Sequence, residues 1–488
     1  MAEMTIDEAM GRALAHYQAG QLLQAEQLCR LVLSSKPDHA EAVNLMGILA
    51  FLGGRSDVAL QLFRRAVLLS PGRSEFQCNL GNALLARNQF EAAIDAYQKV
   101  LAVSPNLAAI HTNIGNAYFN LGQPDLAVAA HQNAIRIDPK LAEAHTNLGH
   151  IFSDQGKIDQ AIESHRSALA LKPDFPEVHW NLALCLLVQG DFEAGWSEFE
   201  WRRKCADHRD ARPDFSQPMW DGSDLDGRTI LLTSEQGLGD TLQFIRYAQL
   251  VKERGGEVVV ECQPELIPLL AQLPSVSRWI GRGEPLPVFE VWHPLMSLPA
   301  LFRTTLQTIP KQPTLRAPSD RVEKFSRLIL ENAGRMKIGI AWAGRAEHKN
   351  DRNRSLPFSA LMPLLERSSA QFFSLQKGPA ARQIGQFSSG LTWVDLTAEL
   401  VDFADTAGLI AHLDLVICVD TAVAHLAGAM GKPVWLMLAF APDWRWMLDR
   451  DDSPWYPSVR LFRQLRAGDW GGVVGRIKAE LQAIAGPD

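Results

Sequence analysis

Apolar and polar positions along this chain follow two rhythms. Over the first two hundred residues, apolar and small residues recur at helical spacing, and the whole pattern returns every 34 residues. Pro37, Pro71, Pro105, Pro139 and Pro173 mark the step, as do Gly47, Gly81, Gly115 and Gly149. A third column runs Ala25, Ala59, Ala93, Ala127 and Ala161, and Gly195 continues it. Small residues let two helices approach closely, and a proline ends the second helix because it cannot continue the ladder. The pattern predicts six antiparallel helix pairs, starting near residues 7, 41, 75, 109, 143 and 177. After the polar, proline-bearing stretch HRDARPDFSQP (208–218) the rhythm changes. TILLTSE (229–235), EVVVEC (257–262), KIGIAWAG (337–344), QFFSLQ (371–376), LDLVICVD (413–420) and KPVWLML (432–438) read as buried strands. Between them TLQFIRYAQLVKE, ELIPLLAQLP, FSALMPLLER and TAVAHLAGAM read as helices. Apolar strands alternating with amphipathic helices predict parallel sheets covered on both faces.

A 34-residue period with these columns is the tetratricopeptide signature, and such repeats stack because one alone cannot bury its apolar face. The predicted fold is therefore an α-solenoid, a tetratricopeptide superhelix over residues 1–204, then a linker (205–221) and an α/β domain of two Rossmann-like halves. The halves are 222–320, expected to be short, and 321–488, with a basic, proline-bearing link at 310–324. Trp196, Phe199 and Trp201 are expected to cap the repeats against the next domain. Asn79, Asn113, Asn147 and Asn181 form a further 34-step column on the first helix of each pair. Asn offers both donor and acceptor, so a ladder of them could hold an extended peptide backbone; the alternative is that it hydrogen-bonds within the array. Here the chain resembles the superhelix of the O-linked N-acetylglucosamine transferases, whose asparagine ladder binds the acceptor protein. His111, His145 and His179 form another column, too widely spaced, at roughly 10 Å per repeat, to share a metal ion.

Composition narrows the function classes. A formal charge of −7 argues against general nucleic-acid binding, which needs clustered Lys and Arg. The start, MAEMTIDEAM, has neither the basic nor the apolar segment of a signal peptide, and no apolar run is long enough to span a membrane. Six scattered cysteines without metal-site spacing suit a reducing cytoplasm. No carboxylate-rich metal motif stands out, so no essential metal is expected.

Three constellations carry candidate chemistry. In SEQGLGDTLQF, Gly237 and Gly239 suit a tight turn and close ligand approach, and Asp240 stands where a helix begins. It reads either as a helix cap or as a carboxylate base facing an acceptor hydroxyl; Glu235, Asp221 or a His from the cleft are the reserve candidates. In VDTAVAHLAGAMGKPVW, a strand ends at Asp420 and Thr421, and the following helix start offers free N–H groups to an anion. His425 lies one turn into that helix, as ligand contact or structural residue. In WAGRAEHKNDRNRSLP (342–357), His348, Lys349, Arg352 and Arg354 crowd one loop after a strand, and Lys377 follows another strand end. Basic residues at strand ends suit a diphosphate; the alternative is a solvated loop.

Together with APDWRWMLDRDDSPWYPSVRLFRQ, these segments resemble bacterial glycosyltransferases that join tetratricopeptide repeats to a GT-B domain similar to the lipopolysaccharide heptosyltransferases. The resemblance implies a nucleotide-sugar donor, Asp240 as base, Arg354 on phosphate, and Asp420, Thr421 and His425 on the nucleotide sugar. It implies metal-independent inverting transfer to Ser or Thr of a protein acceptor held by the repeats, flagellin being one such acceptor. Two rivals stand beside it: a binding scaffold with a degenerate transferase domain, and a transferase acting on a glycan or lipid.

Overall fold

The computed structural model describes residues 4–207, 215–329, 335–348, 350–366, 370–386 and 393–485. They fall into two compact units: residues 1–152 with 159–174, and residues 153–158 with 175–488.

The repeat region is helical throughout. Its helices are α1 (Ile6–Gln18), α2 (Leu22–Ser35), α3 (Ala40–Leu52), α4 (Ser56–Leu69), α5 (Ser74–Ala86), α6 (Phe90–Val103), α7 (Ala108–Asn120), α8 (Pro124–Ile137), α9 (Ala142–Asp154), α10 (Ile158–Leu171), α11 (Pro176–Gln189) and α12 (Phe192–Phe199). Each pair starts within one residue of its predicted position. Ala25, Ala59, Ala93, Ala127 and Ala161 are fully buried. The glycine column has a specific partner. A Cβ added at Gly47 would lie 2.6 Å from the Phe63 ring, at Gly81 2.5 Å from Tyr97, at Gly115 2.6 Å from His131, and at Gly149 2.4 Å from His165. Each glycine thus clears space for a ring sixteen residues later, in the second helix of its own pair. Another column accounts for the turns: Gly20, Gly54, Asn88, Gly122, Gly156 and Gly190 all have positive φ. Asn stands in once, being the side chain that best tolerates this conformation.

α11 and α12 fall in the second unit, together with residues 153–158. The reason is aromatic packing. The Trp196 indole N–H donates to the Thr304 carbonyl at 2.9 Å, and Trp196 and Phe199 pack edge-on against Trp444. Trp201 instead stacks on His179.

Two parallel sheets follow. The first contains β1 (Thr229–Thr233), β2 (Glu257–Cys262), β3 (Arg278–Gly281) and β4 (Val291–Pro294), in the order β3-β2-β1-β4. Its helices are α13 (Leu238–Phe244), α14 (Ala248–Lys252), α15 (Ile267–Leu270) and α16 (Leu298–Leu301). The second contains β5 (Lys337–Ala341), β6 (Gln371–Ser374), β7 (Trp393–Val394), β8 (Leu415–Val419), β9 (Val434–Leu438) and β10 (Val459–Arg463), in the order β10-β9-β8-β5-β6-β7. Around it lie α17 (Ser319–Ile329), α18 (Asp351–Arg354), α19 (Met362–Leu365), α20 (Phe403–Ala411), α21 (Ala422–Ala429) and α22 (Trp470–Ala485). All pairing between these strands is parallel. The six predicted strands are present; the short β3, β4, β7 and β10 are additions. The helix expected over TLQFIRYAQLVKE is broken by a 3₁₀ turn at Ile245–Tyr247, and the link at 310–324 already carries α17 from Ser319.

Both sheets reverse strand order beside their first strand. From β1 the chain builds outward through β2 and β3, then returns to place β4 on the other side. From β5 it goes to β6 and β7, then returns through β8 to β10. Ligands of open parallel sheets bind where the order reverses, at the carboxyl ends of the strands. Those ends are β1, β5 and β8. Among the described residues, no helix is long and apolar enough to cross a membrane.

Candidate active site

The loop after β1 sets the first carboxylate. Its left-handed residue is Gln236 (φ 52°), whereas Gly237 has an ordinary φ of −91° and caps α13. The expected turn role of the two glycines is therefore corrected. Gly239 is needed for packing: a Cβ there would meet His425 Cδ2 at 2.8 Å and come within 3.6 Å of Ala422 Cα. Its missing side chain lets α13 of the first half lie against the start of α21 in the second. Asp240, the third residue of α13, accepts from the Gly237 N–H at 2.8 Å through Oδ2, which makes it a cap. Its Oδ1 accepts from Arg445, which comes from the second half. Cap and cleft carboxylate are thus the same residue.

The second carboxylate stands at the end of β8. Burial, and then the neighbouring Asp443 charge, raise the pKa of Asp420 to about 6, against the opposing pull of Arg354, the Trp446 indole and Arg445. The next residue, Thr421, is the N-cap of α21, where the first amides have no intrahelical partner. Its Oγ1 is buried without a hydrogen-bond partner among the described residues. A helix start carrying a spare hydroxyl suits a phosphate oxygen.

Arg354 completes this edge from the loop after β5. Its guanidinium lies over Gly344, where a Cβ would come 2.5 Å from Nη2. Two hydrogen bonds hold the loop: Gly344 N–H to Ser355 Oγ at 2.9 Å, and Ser355 Oγ to Asp351 Oδ1 at 2.7 Å. Gln376, just past β6, anchors the same strand end by accepting from the Trp342 and Ala343 N–H groups at 2.9 Å each. His348 sits among these charges, and burial followed by Arg354 lowers its pKa. Lys349 lies outside the described residues.

Other candidates are placed differently. The Lys377 ammonium donates to the carbonyls of Thr397 and Leu400, at 2.8 Å each, tying a loop rather than joining the cluster. His425 is 5 % exposed, with Nδ1 3.0 Å from the Tyr456 hydroxyl and Nε2 3.9 Å from Asp420 Oδ1. Burial holds its pKa far below the ordinary value, so it is a neutral spacer between Asp420 and Tyr456. Glu235 is buried in an ion pair with Arg202 at 2.7 Å, and Asp221 caps the Ser223 N–H at 3.0 Å. Neither reserve base is supplied to the cluster.

The asparagines are partly engaged already. The amides of Asn79, Asn113 and Asn147 donate to Oδ1 of Asn44, Asn82 and Asn116 at 3.0, 3.1 and 2.8 Å. The histidines of the neighbouring column are local: His111 and His145 lie 3.1 and 3.2 Å from the carbonyls of Pro105 and Pro139.

Sequence reasoning missed Arg445, Asp443 and Tyr456. For Arg445 and Asp443 the signal was the segment DWRW (443–446), where an arginine stands between two tryptophans and so belongs in a buried, charge-paired place; Tyr456 had no such signal.

Residues 329–437, which run from before β5 to the penultimate residue of β9, match the glycosyltransferase family 9 (heptosyltransferase) model. Residues 81–122, 115–156 and 149–190 match a TPR repeat model, and residues 10–74 a tetratricopeptide repeat model. The chain joins tetratricopeptide repeats to a family 9 glycosyltransferase domain. Protein FlbA of Caulobacter vibrioides is 29% identical over 329 residues, covering 62% of this chain and 54% of FlbA. The chain thus spans about half the length of that curated relative. Solved structures with some similarity include MamA from Desulfovibrio magneticus RS-1 (21% identity, 35% of this chain and 97% of that one, TM-score 0.33). A thermophilic TPR protein of Thermus thermophilus is another (21% identity, 38% and 100% coverage, TM-score 0.32). The ends of β1, β5 and β8 bring Asp240, Arg354, Asp420 and Thr421 into one charged cluster, together with Arg445; of these, Arg354, Asp420 and Thr421 lie within the residues that match the family 9 model.

Proposed function

We propose that the chain is a glycosyltransferase that moves a sugar from a nucleotide-sugar to a Ser or Thr hydroxyl of a protein held by its repeats. The observation that carries this reading is the convergence of Asp240, Arg354, Asp420, Arg445 and the unpartnered Thr421 hydroxyl on strand ends at both reversal points. The donor phosphates lie at the start of α21, against Thr421 and Arg354. Asp240 takes the proton of the acceptor hydroxyl. The oxygen attacks the anomeric carbon from the face opposite the phosphate, the carbon–phosphate-oxygen bond breaks, and the nucleotide departs with its bonding electrons. The product is inverted. Charge on the leaving nucleotide is met by the α21 amides and Arg354, so the scheme requires no metal. In the repeats, the second amide hydrogen and the carbonyl oxygen of Asn79, Asn113 and Asn147, and the in-step Asn181, would meet the acceptor backbone. Flagellin is the acceptor to try first.

The test begins with a thermal-shift panel of UDP-, GDP-, ADP- and CMP-sugars. A donor at 100 times its Kd should stabilise by about 2.7 kcal/mol. Turnover of Asp240→Asn with that donor and the acceptor should then fall by about 10²–10⁴. Asn can still accept from Gly237, and Arg445 keeps Asp443, so the stability loss should stay near 1–3 kcal/mol. Normal turnover by this variant would reduce Asp240 to a cap. Donor binding without transfer to any hydroxyl would favour a scaffold.

A further inference from the structure

The loop that carries Arg445 is built at a conformational cost. Met447 is a non-glycine residue at φ 53°, ψ −163°, and Asp449 also has positive φ (49°). Such a backbone persists only where its surroundings over-determine it, and it clusters at functional sites. Here the surroundings are visible. Arg463 donates to the carbonyls of Trp446, Met447 and Arg450, and Trp444 and Trp446 are buried on either side of Arg445. The same loop aims the Arg445 guanidinium out of the second half into α13 of the first. It donates to Asp240 Oδ1 and Gln243 Oε1 there, and to Asp443 Oδ1 at 2.9 Å within its own loop. Burial opposes its charge, but Asp443, Asp240 and Asp420 more than offset that, and its pKa is raised. An arginine answers it in the other direction: Arg246, buried in the first half, donates to the Trp455 carbonyl at 3.1 Å and lies over Trp455 and Tyr456. Two buried arginines therefore cross between the halves in opposite senses, and only Arg445 ends on the carboxylate assigned as base.

We propose that Arg445 is a positioning residue for Asp240, fixing the carboxylate's orientation from the opposite half of the transferase domain. This rests on Asp240 being the base. Arg445 reaches Asp240 from the opposite half, so the setting of the carboxylate depends on the contact between the two halves. The competing role is direct binding of the donor phosphates. The two differ in what depends on Asp240. Among the described residues, the charged and titratable groups around Asp240 besides Arg445 include Asp443 and Asp420, which also act on Arg445, His348 from the β5 loop and Tyr456 from the second half. None of these is a permanent cation.

A double-mutant cycle on the full chain decides the matter. Turnover by Arg445→Gln should fall about a hundredfold, the size of a misplaced catalytic group, with the donor KM within threefold of normal. Adding Arg445→Gln to Asp240→Asn should lower turnover no further. Binding of UDP, GDP, ADP and CMP by calorimetry should stay within threefold. Multiplying losses in the double variant, or a loss confined to donor KM and nucleotide affinity, would overturn the proposal and make Arg445 a donor ligand. Normal turnover by Asp240→Asn alone would remove the base assignment instead, and is read separately. If Arg445→Gln does not fold, Arg445→Lys carries the cycle, with the same non-additivity expected.

Discussion

The repeats and the transferase domain bury polar groups by opposite rules. In the repeats the recurring contacts join a glycine to a ring sixteen positions on in its own pair, or an Asn to another Asn 31 to 35 positions away. The ring behind each glycine and the Asn-to-Asn bonds between pairs are local and copied. In the transferase domain the important contacts are made once, between distant segments: Asp240 to Arg445 spans 205 residues, and Arg246 to Trp455 spans 209. Copied contacts share their function among equivalents, so losing one is a matter of stability. Single contacts concentrate function, so losing one is a matter of chemistry.

The largest expected stability effect tests the copied ring column. His131 and His165 are fully buried, and none of their ring nitrogens has a hydrogen-bond partner among the described residues. Burial lowers the pKa of His131 to about 4 and that of His165 to about 3. Both are neutral when folded, while the unfolded chain protonates near 6.5. Stability is therefore complete above about pH 6.5 and falls as the pH drops towards 4, by roughly 3 kcal/mol for His131 alone. Urea melts from pH 7 to pH 4 should show this slope. His131→Tyr, which copies the repeat holding Tyr97, should remove the His131 share of it, leaving that of His165, without touching donor binding. A slope unchanged by that substitution would place the acid sensitivity elsewhere.

A smaller effect comes from placing the same methyl in both regions. Gly115→Ala and Gly239→Ala each drive a Cβ to within 2.8 Å of a histidine ring, and overpacking of this kind costs about 1–3 kcal/mol. The melting temperatures should fall alike. Turnover should fall only for Gly239→Ala, because His425 transmits the push to Asp420 and the start of α21. Equal turnover would mean that α13 and α21 yield freely, and the comparison would lose its edge. The smallest effect belongs to Asn113→Ala. Asn82 Oδ1 still accepts from the Tyr97 hydroxyl at 2.7 Å, so stability should drop by no more than about 1 kcal/mol. If the ladder holds the acceptor, transfer to the intact protein should nevertheless fall while donor affinity stays the same.

Legibility in the sequence follows the same division. Periodicity gave every repeat helix, because each copy restates the pattern of the others. It could not show what the glycines face, since that requires knowing which ring lies sixteen residues on. In the transferase domain, buried strands were readable from their apolar runs, but β3, β4 and β10 mix Trp, His, Pro and Arg and carry no clear alternation. Asp240, Arg354, Asp420 and Thr421 were readable because strand ends before helices are places where chemistry collects. Arg445 was not, because its role depends on a partner 205 residues away. Lys377 shared the strand-end signal, yet its ammonium is taken by two carbonyls, a competition invisible in a linear pattern.

The glycine-backed slot also bears on how this array could change length. Because each ring answers a glycine of its own pair, the slot travels intact with any 34-residue block that is duplicated or deleted. Phe63, Tyr97, His131 and His165 occupy one geometric place with different electrical characters. A lineage could therefore lengthen, shorten or reorder its repeats by unequal recombination and keep each junction packed. The titration behaviour of the array would then be retuned simply by which rings the surviving blocks happened to carry.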